Sequence, residues 1–66
     1  MSVVKVIEIM SESDKSWEDA TKKGIEKVSK TVKNIRSAWV QDQSVTVENG
    51  KVTAFRVSLK VSFVVE

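Results

Sequence analysis

The stretch ENGKVTAFRVSLKVSF, Glu48 to Phe63, decides the fold of this 66-residue chain. It begins with Asn49 and Gly50, two residues that readily adopt the positive φ angles of a tight β-hairpin turn. Beyond the turn, apolar and polar residues alternate, which is typical of a strand with one buried face. The odd-numbered positions from Phe55 to Val65 are all apolar, so we predict that they form the core side of this strand.

The segment before the hairpin predicts the partner strand, with one irregularity. Ala38 and Val40 share a face at the start of this segment, whereas Val45 and Val47 are its apolar positions further on. In a regular strand the apolar residues of one face stay at either odd or even positions, because side chains alternate between the two faces. We therefore expect a bulge or bend between Gln41 and Ser44.

The first half of the chain predicts a strand followed by one helix. VVKVIEIM, Val3 to Met10, is rich in β-branched residues and indicates the strand, which SESDKS then interrupts. Ser16 followed by Asp19 resembles a capping box, so a helix is expected to begin at Trp17. Apolar and small residues then recur at three- and four-residue spacing, which predicts one amphipathic helix ending near Asn34.

Gly24 lies inside the apolar stripe of this helix. Glycine costs about 1 kcal/mol of helix propensity relative to alanine. We therefore predict that Gly24 allows the helix to lie close to a strand. The fold class that follows is α+β, in the order β-α-β-β, with a three-stranded antiparallel sheet wrapped around one helix.

Composition limits the possible functions of this single domain, residues 1–66. Without Cys or His, the chain has no disulfide, no thiolate zinc site and no imidazole for proton transfer. A net charge of +2 is too small to indicate nucleic acid, and no apolar run approaches the ~20 residues that span a bilayer. We expect a soluble cytoplasmic protein. A core of this size contributes only about 3–5 kcal/mol of net folding stability. We therefore also expect self-association.

Trp39 is the residue that fits this fold least easily. On a strand it shares a face with Ser37 and Gln41 and points away from the core side. Another copy of the chain, a flat ligand, or both would have to cover it. The sequence is equally compatible with interface packing and with ligand stacking by Trp39. Trp17, in contrast, is in phase with the apolar stripe of the helix, which indicates structural packing.

Four segments of the sequence are specific when taken together: KVIEI, SWEDA, SKTVKNIR and ENGKVTAFRVSLKVSF. Through these segments the chain resembles the dodecins along essentially its whole length. Dodecins are small β-α-β-β proteins that assemble as hollow dodecamers, and most members bind flavins. The resemblance therefore implies a homododecamer whose cofactor is a flavin, such as FMN, riboflavin or FAD.

The resemblance also implies a set of cofactor-binding residues. Flavin-binding members stack a tryptophan of the second strand on the isoalloxazine ring, and that position is Ser37 here, with Trp39 two residues further on. Their glutamine of the last strand, which hydrogen-bonds the pyrimidine edge, corresponds to Arg56. Arginine donates but cannot accept a hydrogen bond. The candidate flavin site is therefore Trp39, Arg56, Ser37 and Gln41.

Three classes of function are weighed at this stage. The first is flavin binding, storage or sequestration in a homododecamer. The second is a dodecin-like assembly that does not bind flavin and is structural or binds calcium or another small ligand. Glu8, Asp42 and Glu48 carry suitable oxygens, but they do not form a calcium loop, so no metal site is predicted. An enzyme is the third class and is not expected, because no nucleophile is paired with a base.

Overall fold

The computed structural model describes residues 3–65 and has the predicted element order β-α-β-β. Its elements are β1 (Val3–Ser13), α1 (Trp17–Val28), β2 (Ile35–Glu48) and β3 (Lys51–Val65). The strands form one antiparallel sheet in the order β1-β3-β2, so the last strand is the central one. The fold class expected from the sequence is therefore confirmed.

The core lies between α1 and the odd-numbered side of β3, as the alternation predicted. Val57, Leu59 and Val61 are each at most 1% exposed, and Ala20 of the helix is fully buried against them. The isoleucines Ile7, Ile9, Ile25 and Ile35 pack around this cluster. Val65, at the far end of the predicted core side, is 43% exposed because the helix does not extend that far along the strand.

The helix begins as predicted but ends earlier. The Ser16 side chain accepts a hydrogen bond from the Asp19 backbone N–H at 2.9 Å, which caps the first turn. The helix ends at Val28 and not near Asn34, so the predicted end was wrong. Beyond Val28 the chain forms a tighter turn, in which the Lys30 and Thr31 N–H groups donate to the carbonyls of Lys27 and Val28, three residues back. Asn34 has a φ angle of 63°, which turns the chain away from the helix before β2.

Asp19 links the start of the helix to the end of β1. Its carboxylate accepts a hydrogen bond from the Ser13 hydroxyl and lies 3.3 Å from the Lys23 ammonium. The bond from Ser13, aided by Lys23, lowers the pKa of the Asp19 carboxyl below its usual value. Asp19 therefore stays ionised, and it ties the loop between β1 and α1 to the first helical turn.

β1 is longer than the sequence pattern predicted. SESDKS was expected to interrupt the strand after Met10, but β1 continues to Ser13 and pairs with β3 as far as Phe55. The last three residues are polar, yet Glu12 lies opposite Arg56 and Ser13 is only 7% exposed. Cross-strand pairing therefore outweighs the weak strand propensity of this segment.

The hairpin and its bulge follow the sequence prediction closely. Asn49 and Gly50 have φ angles of 52° and 76°, as the tight turn between β2 and β3 requires. The pairing register of β2 shifts between Val40 and Asp42, at the edge of the predicted range, and two further shifts, between Ile35 and Ser37 and between Thr46 and Val47, were not predicted. Gln41 is the extra residue of this bulge.

Gly24 contacts β1 directly, which confirms its predicted role. A Cβ atom at this position would lie 2.9 Å from the Ser11 Cβ, closer than two such atoms can approach. Ser11 belongs to the strand that α1 covers. The absence of a side chain at Gly24 therefore sets the distance between helix and sheet.

Gly24→Val is expected to destabilise the fold. Adding side-chain atoms to such a close contact lowers the free energy of unfolding by about 1–3 kcal/mol. Lys22→Val is the matched control, because Lys22 lies on the exposed face of the same helix and its replacement should cost less than about 1 kcal/mol in propensity. Urea unfolding of both variants checks this. Equal midpoints would contradict the close helix–strand contact.

A large part of the sheet remains uncovered by the helix. A 12-residue helix is about 18 Å long, whereas a 15-residue strand spans about 50 Å, and α1 contacts β1 and β3 rather than β2. The accessible surface of 4936 Å² exceeds the about 4200 Å² expected for a compact monomer of 7.4 kDa. Val40, Val45 and Val47 of β2 contribute to this excess, since each is 37–61% exposed.

Candidate ligand-binding face of the sheet

The sheet surface opposite α1, here called the open face, carries most of the candidate site residues. Because side chains alternate along a strand, the even-numbered residues of β3 point away from the buried Val57, Leu59 and Val61. Their cross-strand partners share this face. Four rows across β1, β3 and β2 define it: Val6, Ser62 and Ser37; Glu8, Lys60 and Trp39; Met10, Ser58 and Asp42; Glu12, Arg56 and Ser44.

Trp39 lies on the open face, as the sequence predicted. It pairs with Lys60, which in turn pairs with Glu8 of β1. The side chain is 47% exposed in the single chain. An indole that is half exposed beside charged groups offers a flat surface to a ring or to a second copy of the chain.

Ser37 is adjacent to Trp39 on this face but is already hydrogen-bonded. Its hydroxyl shares a hydrogen bond with the Ser62 hydroxyl, with the two oxygens 2.6 Å apart. Ser62 is only 7% exposed, and its hydroxyl also donates to the Ser37 carbonyl at 3.3 Å. Ser37 therefore contributes to strand pairing and presents no surface on which a ring could stack.

Arg56 shares the open face but is distant from Trp39. Its row lies four residues along β3 from that of Lys60, about 13 Å away. The Arg56 Nε donates to a Glu12 carboxylate oxygen at 2.7 Å, and a second guanidinium nitrogen donates to the same oxygen. Arg56 is therefore held by a carboxylate of its own chain.

Gln41 does not belong to the regular rows. As the bulge residue it has no partner in the register between β2 and β3. Asp42, the residue after the bulge, takes the open-face position opposite Ser58. The structure places Ser37 and Trp39 in adjacent rows of this face, whereas Arg56 lies two rows beyond Trp39.

Carboxylates are the second group of polar side chains on the open face. Glu8, Glu12 and Asp42 all lie on it, whereas Glu48 is at the hairpin opposite Lys51. Glu12 was not among the predicted oxygen donors, because the predicted strand ended at Met10 and only the longer β1 places Glu12 on the face of Glu8. Within residues 3–65 no three acidic side chains are close enough together to hold a metal ion.

A groove of about 410 Å³ runs along the free edge of β1 beside α1. Ile9 and Met10 line its strand side, and Lys23, Gly24 and Lys27 line its helix side. Glu12 lies at one end of this groove. The groove is therefore amphipathic and adjoins the open face.

Trp17 is structural, as its place in the sequence indicated. Its indole N–H donates to the Ser44 carbonyl at 2.9 Å, and its ring meets Phe55 edge to face with centroids 5.3 Å apart. These contacts anchor the start of α1 to the β2–β3 hairpin.

Within residues 3–65, no helix is both long enough and apolar enough to span a membrane.

Comparison with known protein families matches residues 3–66 to the dodecin model. The match covers all four elements of the β-α-β-β fold. The chain belongs to the dodecin family. Dodecins are small binding proteins that assemble as hollow dodecamers, and flavin is the usual ligand of the family.

Individual dodecins show how this chain is placed within the family. Calcium dodecin of Mycobacterium tuberculosis is 42% identical over 64 residues, which cover 96% of this chain and 89% of that protein. The crystal structure of calcium dodecin from that organism superposes on this chain with a TM-score of 0.87 at 38% identity, and the match covers 98% of this chain and 93% of that one. That protein is described as calcium-chelating, with a novel calcium-binding site. Dodecin of Streptomyces davaonensis has a TM-score of 0.94 at 23% identity, covers 98% and 96% of the two chains, and shows the shared fold alone.

Proposed function

We propose that this dodecin forms a homododecamer in the cytoplasm and binds Ca²⁺ through carboxylates of its open face. The observation that carries the proposal is the position of Glu8, Glu12 and Asp42 on one uncovered sheet face. The 42% identity to a protein named calcium dodecin supports the same ligand. Carboxylate and hydroxyl oxygens are the donors that Ca²⁺ prefers.

A complete site would require more than one copy of the chain. Ca²⁺ takes about six to eight oxygen ligands, and the described residues of one chain do not bring three acidic groups together. Asp42 is exposed and forms no salt bridge within residues 3–65. Pairing of open faces between subunits would bring several such carboxylates to one place, while water and serine hydroxyls would complete the coordination.

Calorimetric titration of the assembled protein tests this function. Ca²⁺ is expected to bind more tightly than Mg²⁺, because Mg²⁺ requires a rigid octahedral site and loses its water reluctantly. Asp42→Asn should weaken Ca²⁺ binding about tenfold or more, since one charged ligand is lost. Asp14→Asn, in the exposed loop after β1, removes the same charge outside the open face and should leave the affinity unchanged. A protein that takes up no Ca²⁺ would contradict the proposal.

Flavin binding is the second candidate, and the exposed Trp39 favours it. Two copies related by a twofold axis would place flat rings between their Trp39 side chains, and stacking is worth about 1–3 kcal/mol per ring. Storage or sequestration of riboflavin, FMN or FAD would then be the role of the assembly. Two features weaken this candidate: Ser37 replaces the stacking tryptophan of the family, and Arg56 is held by Glu12.

Fluorescence titration separates the two ligands. Quenching of added riboflavin by the purified protein would support the flavin function. Colourless protein that leaves flavin fluorescence unchanged while binding Ca²⁺ would support calcium alone. The proposal contains no catalytic step, and turnover of a substrate by the purified dodecamer would contradict it.

A further inference from the structure

The groove of about 410 Å³ between β1 and α1 lies apart from Trp39 and Asp42, which are not among its lining residues. β1 is an edge strand of the sheet, and within residues 3–65 no other strand lies beyond it. Small-molecule sites in proteins have volumes of about 300–1,000 Å³. The groove is therefore large enough to hold a small ligand.

The apolar lining of this groove is aliphatic. Ile9 and Val28 are half-buried along it, and the Ile9 Cδ1 atom lies 3.7 Å from the position that a Cβ atom of Gly24 would occupy. Met10 adds an unbranched thioether, which adapts to the shape of a ligand. The lining belongs entirely to β1 and α1 and includes no aromatic side chain, so a flat ring would have no stacking partner. An alkyl chain therefore fits this surface better than a ring.

The helix runs back along β1 in the opposite direction. Asp19, in the first helical turn, accepts a hydrogen bond from Ser13 at the end of the strand. Gly24, further along the helix, approaches Ser11, which comes earlier in the strand. Rising helix positions therefore meet falling strand positions, and the last helical turn lies beside the middle of β1.

The two ends of the groove differ in charge. Glu12 lies at the end nearer the first helical turn, where the Lys23 ammonium is held 3.3 Å from Asp19. Lys27 belongs to the last helical turn and lies at the opposite end. Within residues 3–65 Lys27 forms no salt bridge. A lysine ammonium is therefore available beside an apolar floor.

We propose that the groove between β1 and α1 binds a free fatty-acid anion of medium length. Its carboxylate pairs with the Lys27 ammonium, and its alkyl chain packs along the aliphatic floor formed by Ile9, Met10 and Val28. The negative charge of Glu12 disfavours the reverse orientation. This site requires no Ca²⁺ and no residue of β2, so it stands or falls separately from the proposed function.

Titration of octanoate into the full-length assembly, in buffer without calcium, tests the inference by NMR of the isoleucine δ1-methyl groups. The Ile9 methyl resonance is expected to shift, because this group lies in the groove. The Ile35 methyl resonance, at the start of β2, is expected not to shift. Decanoate should bind about two- to fourfold more tightly for each added methylene that the groove buries. Octanol lacks the charge and should bind about three- to tenfold more weakly than octanoate.

Lys27→Gln is expected to lower the octanoate affinity about three- to tenfold and to remove the difference between octanoate and octanol. Lys22→Gln is the matched control, because it removes the same charge from the exposed face of α1 outside the groove and should leave the affinity within about twofold. Equal losses in the two variants would overturn the inference, as would an Ile9 resonance that does not respond to octanoate. Dissociation of the oligomer by Lys27→Gln would also overturn it, because the groove would then be a contact between subunits.

Discussion

Leu59→Ala is expected to leave little folded protein at 37 °C. Leu59 is 1% exposed and lies at the centre of β3, between Val57 and Val61, where the helix covers the sheet. Truncating a buried leucine to alanine costs about 2–5 kcal/mol, because the surrounding structure collapses only partly into the cavity. A single core of this size contributes only about 3–5 kcal/mol of net folding stability before subunits associate. The expected loss is therefore comparable to the whole stability of the isolated chain.

Thermal unfolding followed by circular dichroism measures this effect. Leu59→Met is the control, because a swap that conserves volume should cost less than about 1.5 kcal/mol. Both variants should be compared at the same subunit concentration, since association contributes to stability by mass action. Similar melting temperatures for the two variants would show that the core is not centred on Leu59.

Trp39→Ala is expected to have the largest effect on flavin binding by the open face. The side chain is 47% exposed and is the aromatic group of β2 on this face. Loss of stacking worth about 1–3 kcal/mol corresponds to a roughly ten- to hundredfold weaker affinity for riboflavin. The dodecamer should survive, and Ca²⁺ binding through carboxylates should be unaffected.

Two further variants make this result specific to stacking. Trp39→Phe retains an aromatic ring and should keep most of the affinity. Ser37→Trp restores the stacking position of the family and should strengthen flavin binding, since the Ser62 hydroxyl retains the Ser37 carbonyl as its partner. If Trp39→Ala instead dissociates the oligomer and leaves flavin affinity unchanged, Trp39 fills a subunit interface.

Local periodicity was sufficient to predict the architecture of the sheet. The alternation along β3 identified Val57, Leu59 and Val61 as core, and Asn49 and Gly50 identified the hairpin. These features depend on neighbouring residues in the sequence, so they can be inferred without tertiary contacts. The parity change in β2 revealed the bulge for the same reason, although it could not identify Gln41 as the inserted residue.

Features that depend on cross-strand contacts were not predicted. The polar end of β1 resembles a loop in the sequence, and only its pairing with β3 makes it a strand. The ion pair between Glu12 and Arg56 joins residues 44 positions apart and follows from that pairing. The helix end at Val28 was also missed, because the apolar stripe continues through the tighter turn that follows Val28.

The position of Trp39 was predicted, but its neighbours were not. Alternation placed it on the face away from the core, and its pairing with Lys60 confirms this. The bulge at Gln41 brings Asp42 onto that face, opposite Ser58. A single inserted residue therefore adds a carboxylate suited to a cation in the row next to that of Trp39.

Native mass spectrometry of the purified protein, with and without added Ca²⁺, tests the central claim most directly. The account predicts a homododecamer whose mass increases by bound calcium ions, with a much smaller increase on addition of Mg²⁺. A stable monomer at micromolar concentration would contradict the proposed assembly, because the open face and the exposed valines of β2 would then remain uncovered. A dodecamer whose mass is unchanged by Ca²⁺ would contradict the proposed ligand.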